Sequence, residues 1–216
     1  MDNPGHHHVH RQWRGVFAAV LVTVALTGCA GTVLGPEEDA DSAARLAWET
    51  RLTALEALGD WTAAGRIALT VPDEAVNANV EWRQAGDAFR LDLSGPFGQG
   101  QVRLEGRPGA VNLELADGSI ESASSAEQLV ARRLGWVLPV SGLSHWLLGR
   151  PDPAAAVEAL EYDSLGRPTS LRQSGWFIEY ARFVDVDGAE LPARLSLRRE
   201  AARAKVIVTR WELNSL

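Results

Sequence analysis

From Trp61 to the C-terminus, apolar residues recur at every second position, and the runs are cut by tight-turn residues. Period two is the pleat of a β-strand, whose successive side chains point to opposite faces. Phe89, Leu91 and Leu93 alternate with Arg90, Asp92 and Ser94, and Val102 and Leu104 alternate with Arg103 and Glu105. Strands of this kind have one apolar and one polar face, so their apolar faces must share an interior. Turns fall at Pro72-Asp73-Glu74, Ala85-Gly86-Asp87, Gly95-Pro96-Phe97-Gly98, Pro108-Gly109, Asp117-Gly118, Leu165-Gly166-Arg167-Pro168 and Asp187-Gly188. They delimit strands at 61–71, 76–84, 89–93, 102–105, 111–115, 157–162, 169–174, 176–183, 192–199 and 205–213. Ile207, Thr209, Trp211 and Leu213 are expected on one face of the last strand, and Trp136 to Val140 reads as apolar and extended. Such short connections join antiparallel neighbours, and no βαβ rhythm or long repeat appears. About eleven short strands predict a mainly β fold, an antiparallel barrel or strongly curved sheet.

Helical periodicity occurs in three places. Asp41 or Ser42 can cap a helix in which Leu46, Trp48, Leu52, Leu55 and Leu58 recur at three- and four-residue spacing, Trp48 nearer the edge, with Gly59 as the stop. Ser125 with Gln128 resembles a capping box opening a helix through Arg133. Ser141 or Gly142 begins a third through Leu148, which Gly149 can end.

The first 28 residues read as a targeting segment. Arg11 and Arg14 precede the apolar run Gly15 to Leu26, and Leu26-Thr27-Gly28-Cys29 follows. A basic head, a short apolar run and small residues before a cut mark a secretory signal peptide. The cut falls before Cys29, the chain's single cysteine, which excludes an internal disulfide and makes Cys29 the expected lipidation site. Two or more acyl chains on it hold a protein stably on a bilayer. Ala30 in the next position, where Asp would favour inner-membrane retention, points to the outer membrane. The expected organisation is therefore a signal peptide over 1–28, the lipidated cysteine and a linker over 29–41, and one domain over 42–216.

Cleavage removes Asp2, Arg11 and Arg14 and takes the net charge from −7 to −8. An acidic surface argues against nucleic acid and against electrostatic adhesion to anionic lipid. His6, His7, His8 and His10 leave with the signal, so His145 is the remaining histidine. Ser141 and Ser144 lie beside it, but Gly142-Leu143-Ser144-His145 lacks the nucleophile-elbow pattern of a hydrolase. Asp185-Val186-Asp187-Gly188 opens like a calcium loop but lacks its remaining ligands. Gly95, Gly98 and Gly100 join two strands rather than leading into a helix, so no phosphate cradle follows. No enzyme, metal or cofactor is expected.

Bulk is what stands out. Trp48, Trp61, Trp82, Trp136, Trp146, Trp176 and Trp211 either fill an ordinary core or wall an apolar cavity inside a wide curved sheet. Phe97 occupies a turn position where polar residues are usual, so it either folds back or meets an apolar partner.

Several segments together resemble the LolB family of outer-membrane lipoprotein receptors. They are Arg90 to Gly109 (RLDLSGPFGQGQVRLEGRPG), Trp61 to Ile67, Trp82 with its Gln84-Ala85-Gly86-Asp87 turn, and Leu134 to Leu143 running into Trp146 and Gly149. The resemblance implies an unclosed antiparallel barrel of about eleven strands with short helices covering a hydrophobic cavity. It implies that the cavity receives the acyl chains of lipoproteins from the periplasmic carrier LolA, and that the chain, a monomer, inserts them into the outer membrane without cofactor. Phe97 matches the exposed apolar loop residue needed for insertion, a leucine in enterobacterial members. Trp82, Phe89, Leu91, Leu93, Trp136, Leu143 and Trp146 are the expected lining or lid of the cavity. The competing expectation is a structural lipoprotein with a filled core that binds a protein partner.

Overall fold

The structure, a computed structural model, describes residues 36–72, 74–95, 100–134 and 139–214. Cys29, Phe97, Trp136 and the signal segment lie outside the described residues.

Eleven strands make one antiparallel sheet: β1 (Asp60–Val71), β2 (Glu74–Ala85), β3 (Ala88–Ser94), β4 (Val102–Arg107), β5 (Ala110–Glu114), β6 (Ile120–Ala123), β7 (Val157–Tyr162), β8 (Pro168–Gln173), β9 (Trp176–Val186), β10 (Ala189–Arg199) and β11 (Ala202–Asn214). Its order is β6-β5-β4-β3-β2-β1-β11-β10-β9-β8-β7. Two meanders thus run outward from the central β1–β11 pair, and β6 and β7 are left as edges, so the sheet is unclosed. The chain bridges those edges with α2 (Ala126–Leu134) and α3 (Val140–Leu147), while α1 (Pro36–Glu56) precedes the sheet.

The hairpins follow their turn residues. Asp187 and Gly188 take φ of 52° and 85°, and Ser174 and Gly175 take 54° and 72°. Paired positive φ is the primed turn whose twist matches that of the strands it joins. On β3, β4 and β5 the polar face carries a charged ladder. Asp92 Oδ1 accepts from Arg103 Nε at 2.8 Å, Asp92 Oδ2 from Arg90 Nε at 2.9 Å, and Glu114 from Arg103 Nη1 at 2.9 Å. Leu91, Leu104 and Leu113 are buried on the opposite face.

Four details differ from the sequence expectation. The eleventh strand is β6, while Val140 opens α3 instead of ending an extended segment. β6 escapes a periodicity reading because it is four residues long and carries an exposed Ile120 (65 %) at the sheet edge. Helix α1 starts at Pro36, not at Asp41 or Ser42. What reads as acidic linker from Pro36 onward is therefore helix. Its inner face is also displaced: Trp48 is buried and stacks on Tyr162 at 5.8 Å, whereas Leu46 is 65 % exposed. Last, the inward face of β11 is Ala204, Val206 and Val208, then Trp211. Ala64 pairs with Arg210 and Gly65 with Val208, so Thr209 is the extra residue of a β-bulge and shifts the alternation by one. Gly65 permits it, because a Cβ there would lie 2.0 Å from the Ile207 carbonyl oxygen.

Candidate functional site

The two halves of the sheet are filled differently. On the β7–β10 side Leu171, Ile178, Leu191 and Leu195 are at most 1 % exposed and pack with Trp146 and Leu148 as a solid core. On the β1–β5 and β11 side the inward residues wall a cavity of about 620 Å³. Ile67, Leu69, Val80, Leu91, Leu93, Val102, Leu104, Leu113, Val206 and Val208 supply its wall, with Val130 from α2 and Val140, Leu143 and Leu147 from α3 as its roof. Among the described residues only Glu74 and Arg133 bring charge to it, and Arg133 is ion-paired with Glu121.

The cavity's depth is set by aromatic packing. Trp61 stacks on Trp82 at 6.1 Å and tilts against Trp211 at 5.6 Å. Trp82 faces the cavity and donates Nε1–H to Gln84 Oε1 at 2.9 Å, while Trp211 donates to the Pro192 carbonyl at 3.0 Å. A tryptophan held at both body and N–H cannot swing in to close the space.

The roof is built from two short helices pinned at opposite ends. The Gln128 N–H donates to Ser125 Oγ at 3.3 Å and starts α2. Glu127 Oε1 then accepts from the backbone N–H and the hydroxyl of Ser141, at 2.9 and 2.8 Å, tying α2 to the first turn of α3. Burial pushes the Glu127 carboxyl up, but these hydrogen bonds outweigh it and leave its pKa below the ordinary value. Helix α3 ends in a Schellman turn, with Gly149 N–H donating to Trp146 O at 3.0 Å and Arg150 N–H to His145 O at 3.2 Å. Gly149 has φ +76°. Gln173, fully buried, clamps that end to β8. Its Oε1 accepts from Trp146 Nε1 at 2.8 Å and Asp152 N at 2.9 Å, and its Nε2 donates to Asp152 O at 2.8 Å and Ala155 O at 2.9 Å.

Of the residues singled out by sequence, Trp82, Leu91, Leu93 and Leu143 meet in the cavity wall. Phe89 does not: it is half-buried and packs on Trp82 at 5.7 Å, beyond the wall. Trp146 does not either, since its side chain is turned to Gln173 in the filled half. Helical spacing groups Leu143, Trp146 and Leu147 on neighbouring faces and cannot say which of them looks into a void. Trp176, which alternation alone did not separate from core, is in the wall.

Catalytic chemistry has no support at His145, the one histidine among the described residues. Ser144 Oγ donates to Ser141 O at 2.7 Å, Ser141 Oγ is committed to Glu127, and the buried His145 Nδ1 has no partner among the described residues. Burial and Arg150 hold His145 below the ordinary histidine value, against a smaller opposing pull from Asp152, 3.8 Å away. No group of three metal-ligating side chains occurs among the described residues.

The fold is shared with a LolA superfamily protein from Nitrosomonas europaea, at a TM-score of 0.52 and 11 % identity over 82 % of this chain and 94 % of that one. The family model for the outer membrane lipoprotein LolB matches residues 59–211. The outer-membrane lipoprotein LolB of Halorhodospira halophila is 39 % identical over 196 residues, covering 91 % of this chain and 94 % of that protein. That of Chromohalobacter salexigens is 38 % identical over 205 residues, covering 95 % and 92 %. The chain therefore belongs to the LolB family of outer-membrane lipoproteins, non-enzymatic receptors that accept lipoproteins from LolA and insert them into the outer membrane.

Proposed function

We propose that the 620 Å³ cavity is where this receptor holds the acyl chains of its cargo, against Trp82, Leu91, Leu93 and the roof residue Leu143. The observation that carries this reading is a void of ligand-site size, within the range of about 300–1,000 Å³, whose wall is almost wholly apolar. The competing reading, a filled core that binds a protein partner, describes only the β7–β10 half.

The physics of transfer follows. A chain of roughly 16 carbons exposed to water costs about 12 kcal/mol at about 0.8 kcal/mol per methylene, so cargo cannot cross water free. The cavity stabilises the chain by shielding it, and the bilayer shields it more completely. Transfer then runs down a gradient of affinity with no nucleotide consumed. Cys29 is the lipid anchor that keeps the receptor on its target membrane. Phe97, in the β3–β4 connection, presents the apolar contact through which cargo passes into the bilayer. The working unit in this reading is a monomer, which is supported by the walling of the cavity by described residues of one chain.

The test is transfer of radiolabelled lipoprotein from loaded LolA to the full chain anchored in outer-membrane vesicles. Wild type is expected to move label into the bilayer, and Phe97→Glu to accept label and retain it on the protein. Delivery by both at equal rate removes Phe97 from the mechanism. A wild-type chain that accepts nothing leaves the cavity without its proposed occupant.

A further inference from the structure

The cavity opens at one end of the sheet. Trp82, 3 % exposed, lies at its closed end, whereas Glu74, Asn77 and Gly100 in its wall are exposed and Val76 is 37 % exposed. The mouth therefore lies at the β1–β2 turn and the facing ends of β3 and β4. The β8–β9 and β10–β11 turns are at the same end, because Arg172 pairs with Phe177, Phe177 with Arg198, Arg198 with Arg203 and Arg203 with Thr70. Leu171, Ile178, Leu197 and Ala204 beside these residues are buried, so alternation turns Arg172, Phe177, Arg198 and Arg203 onto the outer face. They form one row across β8 to β11, and its last member stands opposite Thr70, next to Val71 in the cavity wall.

The row is cationic and unmatched. The guanidinium of Arg198 lies over the Phe177 ring at 4.2 Å and that of Arg172 at 5.1 Å, so two cations share one aromatic face pair. Arg198 stands directly across from Arg203, a like-charge pairing that destabilises a sheet. Elsewhere on the outer face arginines meet carboxylates: Arg103 meets Asp92 and Glu114, and Arg210 meets Glu81 and Glu212. Arg172, Arg198 and Arg203 are exposed and make no ion pair among the described residues. Of the neighbouring acids, Glu158 accepts from the Gly175 N–H at 2.9 Å, Glu179 lies one outward position further from the mouth, and Glu200 is in the β10–β11 turn. In a chain of net charge −7, such a cluster locally inverts the surface potential.

An outer-membrane lipoprotein works beside a bilayer, and the headgroups of that bilayer present a plane of phosphates. We propose that the mouth end of the sheet docks on the bilayer, with Arg172, Arg198 and Arg203 on phospholipid phosphates and the rim residues Val71, Pro72 and Val76 against the apolar region beneath. The planar guanidinium fork matches phosphate oxygens, and arginine stems laid on Phe177 hold the charged heads outward at headgroup level. The net negative charge of the chain repels anionic lipid, but charges more than about 10 Å from the headgroups are largely screened at physiological salt, and the row is not. This rests on the reading of the main cavity as the acyl site, from which cargo leaves through the mouth. Docking in this orientation turns the mouth to the membrane, so that acyl chains leave the cavity without crossing water.

Cys29 is the single cysteine and is occupied by the anchor in this reading, so one introduced thiol can be labelled alone. The lipidated full chain is placed in vesicles of phosphatidylethanolamine and phosphatidylglycerol, some headgroups of which carry a nitroxide quencher. A fluorophore is attached at Ala201→Cys, in the β10–β11 turn, or at Asp87→Cys, in the β2–β3 turn at the opposite end; both positions are exposed. Quenching is expected at 201 and not at 87. A basic residue near an anionic surface is worth about 5-fold in the docked population, so Arg172→Gln, Arg198→Gln and Arg203→Gln together should lower the docked-to-undocked ratio about 100-fold. High salt should act in the same direction. The same three positions changed to Lys keep the charge and should keep most of the quenching. Equal quenching at the two ends of wild type overturns the inference, as does quenching that the Gln variant leaves unmoved. Loss in the Gln and Lys variants alike also overturns it, since charge is then not the cause. Unmoved quenching with loss of label acceptance from loaded LolA in the Gln variant gives the row to an acidic protein instead of the bilayer. A wild-type chain that accepts no label overturns the acyl-site reading and leaves the docking result standing.

Discussion

Gln173→Leu tests how the roof is held. Gln173 is 0 % exposed, and its amide makes four hydrogen bonds, all of 2.8 to 2.9 Å. Leucine has similar bulk and no polar atoms. It strands the Trp146 indole N–H at a site 1 % exposed, at a cost of about 1–3 kcal/mol. The three bonds to Asp152 and Ala155 belong to a half-buried loop that can turn to water, so each forfeits only its net contribution of about 0.5–1.5 kcal/mol. Burying leucine returns about 2 kcal/mol. The balance is a loss of about 3 kcal/mol, which lowers Tm by about 6–12 °C in a domain of this size. Near-UV circular dichroism on heating reads it, because Trp146 reports the same site. A fall of less than about 3 °C would mean that the network contributes under about 1 kcal/mol, and the roof would then be held by packing alone.

Ala78→Trp, on the inward face of β2, should fill the cavity and abolish acceptance of cargo from LolA, as measured by co-purification of label, with Tm within a few degrees of wild type. Gly65→Val forces side-chain atoms onto the Ile207 carbonyl and should cost at least about 1–3 kcal/mol in urea unfolding, the scale of overpacking. The His145 pKa lies below 6.5 in the fold and at its ordinary value in the unfolded chain, so the unfolded state binds more protons at low pH. Its contribution to stability is complete above pH 6.5 and is lost as the pH falls below that, and His145→Gln should flatten this part of the stability profile. Glu127, with its pKa depressed, holds α2 to α3 above the ordinary carboxylate range. Hydrogen exchange in the first turn of α3 should therefore accelerate in acid only below that range, and Glu127→Leu should show fast exchange at neutral pH.

Sequence made the sheet legible because its signals are local. Alternation along β3 and β4 follows from the pleat, and the glycines at 86, 109, 118, 166 and 188 punish any other turn placement. What escaped it depends on partners. The bulge at Thr209 exists because Gly65 lies across the ladder on β1, more than a hundred residues away in sequence, and nothing near Thr209 announces it. The edge strand β6 is recognisable only from β5 beside it. At the site, Trp82, Leu91, Leu93 and Leu143 are inward by periodicity, but periodicity marks inward and not empty. It grouped Phe89 and Trp146 with them although one packs behind Trp82 and the other is tied to Gln173. Trp176 was named among seven tryptophans, and nothing in its local sequence marks it, rather than Trp146, as a wall residue.

That distinction between inward and empty bears on how such a receptor works. A sheet of eleven strands curved around one interior could be filled throughout, and one half of this sheet is. Clamped by Gln173 and ended by a Schellman turn, α3 gives that half a rigid side against which the other can stay void. An empty apolar space forfeits the contacts that side chains of its lining would otherwise make, so the stability it lacks must come from the filled half. The same deficit serves the task. A cavity satisfied by its own side chains would have little to gain from an acyl chain, and one that gained too much would not release it to the bilayer. On the proposed reading of the cavity as the acyl site, filling β7–β10 and leaving β1–β5 open lets one part of the chain supply folding stability while the other keeps the intermediate affinity that transfer requires.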